Sequence, residues 1–157
     1  MEAIVCISEN WGIGRDGKVL FELRDDRKRF RALTLGKTVL LGSRTLATFP
    51  EGKPLPDRRS IVFTRSADPI KGAEVAHTVD DALRLAGDDA IVIGGASIYT
   101  LLLPYCTRVR VTKVFASPKA DSFFPNLDTH PDWRVDTKSE LMEENGLKFQ
   151  YIDYVKK

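Results

Sequence analysis

The sequence has little of the residue types on which metal and redox sites depend. Its 157 residues include only two cysteines and two histidines. Cys6 and Cys106 lack the spacing of a metal or redox pair, so we expect reduced thiols. His77 and His130 lie far apart without a ligand or nucleophile pattern, which argues against zinc and against histidine-based triads. The sequence therefore predicts no metal centre.

Long apolar runs and a strong excess of one charge are also missing. The segment Met1–Ile7 is too short and too acidic for a signal peptide, and no apolar run approaches the length of a membrane span. The net charge is only +2, and the densest basic stretch, Arg24–Arg31, also contains Asp25 and Asp26. Such mixed charges are typical of a solvated helix face. We expect a cytoplasmic protein without membrane or nucleic-acid partners, and a monomer because no exposed apolar stripe is evident.

What is present is the composition of an ordinary globular protein, with 43% hydrophobic and 29% charged residues and no repeats or linkers. This length fits one domain, residues 1–157, with a single core. Short apolar runs alternate with helical patterns, as in a parallel sheet covered on both faces. Asn145-Gly146 predicts a hairpin. The expected fold is α/β: a single domain with a central, mostly parallel, eight-stranded mixed sheet, a C-terminal antiparallel hairpin and about four flanking helices.

The expected elements have the following bounds. A glycine-rich loop, Asn10–Lys18, follows the first strand. The predicted helices are Leu23–Leu35, which ends at Gly36, a short helix from near Ser43, Asp80–Leu85, and one that follows Gly94-Gly95 and ends at Pro104. The predicted strands are Ala3–Ile7, Thr38–Leu41, Ser60–Thr64, Glu74–Ala76, Ala90–Ile93, Arg108–Phe115, Trp133–Leu141 and Leu147–Val155.

The segment Gly12–Gly17 matches G-x-G-x-x-G after a strand, the pattern of a dinucleotide-binding turn. That turn needs a helix starting within the glycines and an acidic residue at the end of the next strand. Here the helix begins only near Leu23, and the next strand ends in Leu41-Gly42 without a carboxylate. The pattern is more typical of a flexible loop over a binding site.

Two other junctions have the order strand, glycine, helix start: Gly42-Ser43-Arg44-Thr45 and Gly94-Gly95-Ala96-Ser97. Each offers backbone N–H groups and the positive end of a helix dipole to an anion. Glycine lets the backbone approach a ligand closely. One such junction is usually only a tight turn, but two in one small sheet indicate a pyrophosphate bound between them.

A third junction, Thr64-Arg65-Ser66, adds a second arginine to Arg44. The two guanidinium groups and the hydroxyls of Thr64 and Ser66 suit a further phosphate. Arginine in place of the acid that binds the ribose in NAD sites favours NADPH. Two ordinary surface arginines would give the same pattern.

The candidate catalytic group is Asp26. At about 100° per residue, Leu23, Phe30 and Leu33 form one apolar stripe, and Asp26 falls about 30° from its centre, whereas Asp25 points away. A carboxylate on a buried face is unfavourable unless it is paired or functional. Asp26 is suited to accept two hydrogen bonds from an amidine-like ligand edge. Partial burial should raise its pKa, a direction that helps to protonate a ring nitrogen.

Six segments in a fixed order carry a resemblance to a known family. They are Asn10–Gly14 after the first strand, Asp26-x-x-x-Phe30, Val39–Thr45, Pro54–Arg59, Val92–Tyr99 and Asp121–Pro125. The sequence resembles the dihydrofolate reductases of the bacterial chromosomal type over essentially its whole length. The resemblance implies NADPH-dependent reduction of 7,8-dihydrofolate to 5,6,7,8-tetrahydrofolate, for one-carbon metabolism and thymidylate synthesis. It also implies antifolate inhibitors as ligands.

The resemblance assigns roles at matching positions. Asp26 would bind the 2-amino group and N3 of the pterin, supported by Thr112, while C6 receives hydride. N5 would gain its proton through water, because Asp26 would lie on the far side of the ring. The loop Gly14–Phe21 would close over the nicotinamide, which places Phe21 in the catalytic set. The implied cofactor-binding residues are Ile13, Gly14, Val19, Gly42, Ser43, Arg44, Thr45, Thr64, Arg65, Ser66, Gly94, Gly95, Ala96, Ser97 and Ile98.

The substrate-binding positions follow in the same way. Carbonyls of Ile4 and Ile93 would contact the pterin, and Arg58 would pair with the α-carboxylate of the glutamate tail. The implied substrate-binding residues are Ile4, Val5, Cys6, Arg27, Phe30, Phe49, Leu55, Arg58, Ile93 and Tyr99.

Three positions depart from the family pattern. Leu20-Phe21 stands where many bacterial members have a Pro-Trp pair, and Phe21 has no N–H group to hold a water. Ser43 replaces an often basic residue, which leaves Arg44 and Arg65 to bind the 2′-phosphate. Arg27 replaces a commonly apolar residue, and we hypothesise that it attracts the glutamate tail at the pocket mouth.

Other functions remain open on the sequence alone. A pyrimidine reductase of riboflavin synthesis would share the NADPH junctions but would not need Asp26 on the pocket face or Arg58. A nucleotide-binding regulatory module would keep the cofactor site without turnover, against which Asp26 and Thr112 argue. A nucleic-acid binder lacks support, because charges are mixed and no aromatic platform is evident.

Overall fold

The chain alternates strands and helices at first and consists of strands alone in its last third. The computed structural model describes all 157 residues. The α-helices are α1 (Arg24–Thr34), α2 (Ser43–Ala47), α3 (Val79–Ala86) and α4 (Ala96–Leu102). The strands are β1 (Glu2–Ile7), β2 (Gly12–Arg15), β3 (Lys18–Val19), β4 (Thr38–Gly42), β5 (Arg59–Phe63), β6 (Ala73–Ala76), β7 (Ile91–Gly94), β8 (Arg108–Val114), β9 (Ser122–Phe123), β10 (Trp133–Lys138), β11 (Met142–Glu144) and β12 (Leu147–Lys156).

The main sheet has the strand order β10-β12-β8-β1-β7-β4-β5-β6, with β11 also paired to β12. The neighbours from β8 to β6 run parallel, whereas β12 runs antiparallel to β8, β10 and β11. Strands in the middle are apolar throughout because both faces are covered; Val39, Leu40 and Leu41 are fully buried. The predicted α/β fold with a mostly parallel mixed sheet and a C-terminal antiparallel pair is confirmed.

The C-terminal edge is more broken than predicted. The expected strand Trp133–Leu141 is wrong at its end, because β10 stops at Lys138 and a separate strand, β11, begins only at Met142. The register shifts between Val135 and Thr137. At Ser139 the side chain replaces a backbone partner: its Oγ accepts from the N–H of Tyr151 at 2.8 Å. The main sheet therefore has nine strands: the eight in the order above and the short β11, which pairs only with β12. Asn145-Gly146 forms the predicted turn between β11 and β12.

The glycine-rich segment Asn10–Lys18 is less irregular than expected. It contains β2 and the first residue of β3, and these two strands form a small sheet with β9. Glycine is required where β2 meets its neighbours, since a Cβ at Gly12 would lie 2.8 Å from Ala120 Cβ and one at Gly14 would lie 2.9 Å from Ser122 Oγ. The first two glycines of the G-x-G-x-x-G pattern thus reflect strand packing, whereas Gly17 lies in the turn between β2 and β3 at a φ of 76°. The helix α1 begins well after this pattern, as the sequence indicates.

The helix α1 is anchored to the C-terminal hairpin. Its N-cap residue, Leu23, offers no capping side chain. Instead the Glu144 carboxylate of β11 accepts from the backbone N–H groups of Arg24 and Asp25, at 2.6 and 3.0 Å. A carboxylate at this end of a helix pairs free donors and complements the helix dipole. The contact fixes the start of the helix that carries Asp26.

Two further findings concern the cysteines and the apolar character of the helices. Cys6 and Cys106 are both free thiols, as expected from their spacing. None of the helices combines the length and the apolar character needed to cross a bilayer.

Candidate active site

A deep cleft of about 1840 Å³ opens where the parallel strands β4, β5 and β7 end. Its walls come from these strand ends, from β1, from α1 and from the β2–β3 hairpin. Pockets for single small molecules usually measure roughly 300–1,000 Å³. The cleft therefore has room for two small molecules side by side.

The two glycine junctions meet at the centre of this cleft. Leu41 pairs with Gly94, so the ends of β4 and β7 lie next to each other. A Cβ at Gly42 would lie 3.0 Å from Ile98 Cγ1, and one at Gly95 would lie 3.2 Å from Thr45 Oγ1. Neither Gly42 nor Gly95 caps its helix with a side chain, which leaves the first N–H groups of α2 and α4 to a ligand. The peptide bond between Gly94 and Gly95 is cis.

The third junction contributes positive charge to one end of the cleft. Arg44, Arg65 and Ser66 line it and are exposed. Neither guanidinium group belongs to an ion pair, whereas Arg84 pairs with Asp81 at 3.1 Å. Unpaired arginines that face a cleft are suited to bind a phosphate bidentately.

Asp26 projects into the opposite end of the cleft. It is partly buried, whereas Asp25 is exposed, as the helical periodicity predicts. The Thr112 hydroxyl of β8 donates to Asp26 Oδ1 at 2.5 Å. Because this bond uses one carboxylate oxygen and fixes the rotamer, Oδ2 is left to a ligand in the cleft.

The electrostatic environment favours a protonatable Asp26. Burial raises the pKa of Asp26, and the negative charge of Glu144 adds to the rise. The Thr112 hydrogen bond and the positive charge of Arg29 oppose it by stabilising the ionised form. Since burial is the largest influence, the pKa of this carboxyl group lies above its ordinary value.

This shift predicts that Asp26→Asn stabilises the fold. With a raised pKa, the folded state binds the proton more tightly than the unfolded state, so stability falls as pH rises through the interval between the two pKa values. We expect the variant to melt at a higher temperature than the wild type at neutral pH, with the difference closing on acidification. Thermal unfolding across pH measures this.

The matched control is Asp25→Asn, which removes an exposed carboxylate from the same helical turn. It should lower the melting temperature slightly, because only the favourable interaction with the helix dipole is lost. A melting temperature of Asp26→Asn below that of Asp25→Asn at every pH would contradict the prediction that the buried Asp26 charge destabilises the fold.

The floor of the cleft beside Asp26 is neutral. The Tyr99 hydroxyl, fully buried, donates to the Ile4 carbonyl at 2.6 Å. Burial raises the pKa values of both Tyr99 and Cys6, so neither group ionises at neutral pH. Cys6 therefore lines the cleft as a neutral thiol.

Comparison with known proteins assigns the chain to a family. The family model described as dihydrofolate reductase matches residues 1–156. The chain belongs to the dihydrofolate reductase family. It is 36% identical to the dihydrofolate reductase of Neisseria meningitidis serogroup B, with 98% of this chain and 96% of that protein covered. It is 37% identical to the dihydrofolate reductase of Mycobacterium tuberculosis, with coverage of 90% and 89%.

A solved structure supports the same assignment. Dihydrofolate reductase from Enterococcus faecalis, in a complex with NADP(H) and RAB-propyl, superimposes with a TM-score of 0.85 at 29% identity. The match covers 99% of this chain and 95% of that one. Dihydrofolate reductases are oxidoreductases that use NADPH.

In this dihydrofolate reductase the cleft gathers nearly all the residues that the sequence indicates. The three catalytic candidates, Asp26, Thr112 and Phe21, line it. So do the substrate-binding candidates Ile4, Val5, Cys6, Arg27, Phe30, Phe49, Ile93 and Tyr99. The cofactor-binding candidates that line it are Ile13, Gly14, Val19, Gly42, Ser43, Arg44, Thr45, Thr64, Arg65, Ser66, Gly94, Gly95, Ala96, Ser97 and Ile98.

Two candidates, Leu55 and Arg58, are not among the residues that line the cleft. Arg58 lies against the end of α1, where its Nε donates to Thr34 Oγ1 at 3.1 Å and its Nη1 donates to the Pro56 carbonyl at 2.7 Å. These bonds leave part of the guanidinium group free. A role of Arg58 toward a substrate tail stays a prediction.

Sequence reasoning missed several residues around the cleft. His77 and Thr78 line it beside Thr64, and His77 Nδ1 lies 2.8 Å from the Thr64 carbonyl. The pairing of Phe63 in β5 with Ala76 in β6 brings His77 next to Thr64, and no local sequence pattern reveals this strand register. Arg29 of α1, which does not line the cleft, is half-buried, whereas the charge pattern of α1 predicts an exposed cation.

Proposed function

We propose that this dihydrofolate reductase reduces 7,8-dihydrofolate to 5,6,7,8-tetrahydrofolate with NADPH at this cleft. The observation that carries the proposal is a partly buried carboxyl group, Asp26, fixed by Thr112 at one end of a cleft whose other end is lined by Arg44 and Arg65. The whole chain, residues 1–157, would act as one such domain. We further propose that it works as a cytoplasmic monomer.

The residues at the strand ends fit NADPH. The glycine junctions form a cradle that a side chain would fill, since Cβ atoms at Gly42 and Gly95 would contact Ile98 and Thr45. The pyrophosphate would lie there, and Arg44 and Arg65 would hold the 2′-phosphate. When bound, NADPH supplies the hydride.

The chain's own residues orient and polarise the substrate. The two oxygens of the Asp26 carboxylate would accept from the pterin 2-amino and N3 groups, while the Thr112 hydroxyl, which donates to Oδ1, keeps the carboxyl plane in place. The raised pKa of Asp26 lets this group hold a proton in a range where an ordinary aspartate is ionised. Carbonyls of Ile4 and Ile93 would bind the same ring, and Tyr99 fixes that of Ile4. The proton for N5 would arrive from water.

The isotope that reaches the product tests the chemistry. With NADPH deuterated on the transferred face of C4, we expect one deuterium at C6 of tetrahydrofolate, detected by mass spectrometry and NMR. The same protein should not reduce diaminopyrimidine substrates. Reduction of the diaminopyrimidine substrates, without deuterium transfer to C6 of the pterin, would replace this proposal with a sister reductase.

A further inference from the structure

Behind Asp26 lies a group of side chains with no assigned role, which we name the Arg29 cluster: Arg29, Tyr151 and Asp153. The Arg29 guanidinium carbon lies 3.9 Å from the centroid of the Tyr151 ring. Its Nη2 lies 3.7 Å from Asp153 Oδ1. A ring face on one side and a carboxylate on another fix the guanidinium group in one position.

The cluster is connected to Asp26 by two routes. Arg29 follows Asp26 by three residues on α1, so the two side chains lie on neighbouring turns of one helix face. Tyr151 of β12 pairs with Thr112 of β8, and directly opposed side chains point to the same face of a sheet. Thr112 in turn donates to Asp26. The fixed cation therefore lies on the side of Asp26 away from the cleft.

Arg29 is not the only cation that holds Asp153. The Oδ2 atom of Asp153 accepts from Nη1 of Arg108 and of Arg110, each at 3.1 Å. These two arginines also pair with Glu2 and Asp136 at 3.1–3.8 Å, so the network as a whole is balanced in charge. Asp153 is buried, and in a poorly solvated region a single charge acts on its neighbours more strongly than in water.

One guanidinium nitrogen of Arg29 has an unusual environment. Nη1 is buried and has no hydrogen-bond partner. Buried donors are nearly always paired, and an unpaired one in a structural ion pair would weaken the fold. A cation kept here despite this penalty indicates a use for its charge rather than for its hydrogen bonds.

We propose that Arg29 is a positioning residue. Held between Tyr151 and Asp153, it supplies a fixed positive charge that stabilises the ionised form of the Asp26 carboxyl group and so sets how readily that group takes up and releases its proton. The catalytic meaning of this role rests on the proposed function, whereas the electrostatic role does not. The other groups that face Asp26 are Thr112, Cys6, Tyr99, Tyr151 and Glu144. Among them the pKa of Asp26 is raised by the charge of Glu144, and Arg29 is the cation that opposes it.

The first test follows Asp26 directly, by carbon-13 NMR titration of aspartate carboxyl groups in the ligand-free protein, with Asp26→Asn to assign the signal. In Arg29→Met the midpoint should move to higher pH by about half a unit or more. Arg29→Lys should stay closer to the wild type because it keeps the charge. The matched control is Lys28→Met, which removes an exposed cation from the preceding position of α1 and should leave the midpoint unchanged.

The second test compares pH profiles of dihydrofolate reduction for the same proteins. The midpoint of the profile should move in Arg29→Met as the NMR midpoint does, and should not move in Lys28→Met. If Arg29→Met does not fold, Arg29→Gln replaces it as the neutral variant. An Asp26 titration that is identical in the wild type and the neutral variant, or shifted equally by Lys28→Met, would overturn the proposal. If the protein did not reduce dihydrofolate at all, the NMR result would still decide the role of Arg29.

Discussion

Replacing Asp26 with asparagine is expected to lower kcat/KM for dihydrofolate by about 10²- to 10⁴-fold. The amide has nearly the shape of the carboxyl group and still accepts from Thr112, so the cleft keeps its form. It can neither carry the negative charge nor hold the exchangeable proton that the raised pKa makes available. Steady-state rates of NADPH oxidation at saturating cofactor measure the loss.

Two controls separate chemistry from folding in this experiment. Asp25→Asn, on the exposed side of α1, should retain the wild-type rate within a few-fold. Affinity for NADPH should be unchanged in Asp26→Asn, because Arg44 and the glycine junctions lie at the other end of the cleft. A variant with near wild-type kcat/KM would contradict the role given to Asp26.

The double replacement of Arg44 and Arg65 with leucine is expected to abolish the preference for NADPH over NADH. A hydrogen bond to a charged group contributes about 1.5–3 kcal/mol, so losing two should weaken NADPH binding by about 10²-fold or more. NADH lacks the 2′-phosphate, and its affinity should stay the same. Fluorescence titration of both nucleotides gives the two dissociation constants without turnover.

Arg134→Leu is the matched control for the arginine pair, since it removes an exposed arginine of β10 that does not line the cleft. It should leave both dissociation constants unchanged. Equal weakening of NADPH and NADH in the double variant would show that the arginines support the site in general rather than the 2′-phosphate.

Local patterns predicted the parts of the site that depend on short sequence distances. Asp26 was identifiable because Leu23, Phe30 and Leu33 define a helical face within one segment. The glycine junctions were identifiable because each combines a strand end and a helix start within a few residues. The structure adds that Leu41 pairs with Gly94, which places the two junctions side by side.

The remaining features depend on strand register between distant segments. The Arg29 cluster needs β12 beside β8, with Tyr151 opposite Thr112. The strand β2 pairs with β9, which lies more than a hundred residues further along the chain. Where β10 ends, the Ser139 side chain takes the place of a backbone carbonyl by accepting from the N–H of Tyr151. None of these pairings leaves a periodic signal in the sequence.

The most direct measurement of the central claim is the initial rate of NADPH oxidation with and without dihydrofolate, using the purified wild-type protein. The account predicts rapid oxidation that requires dihydrofolate, saturates with it and yields tetrahydrofolate. Tight binding of NADPH without any dihydrofolate-dependent oxidation would contradict it.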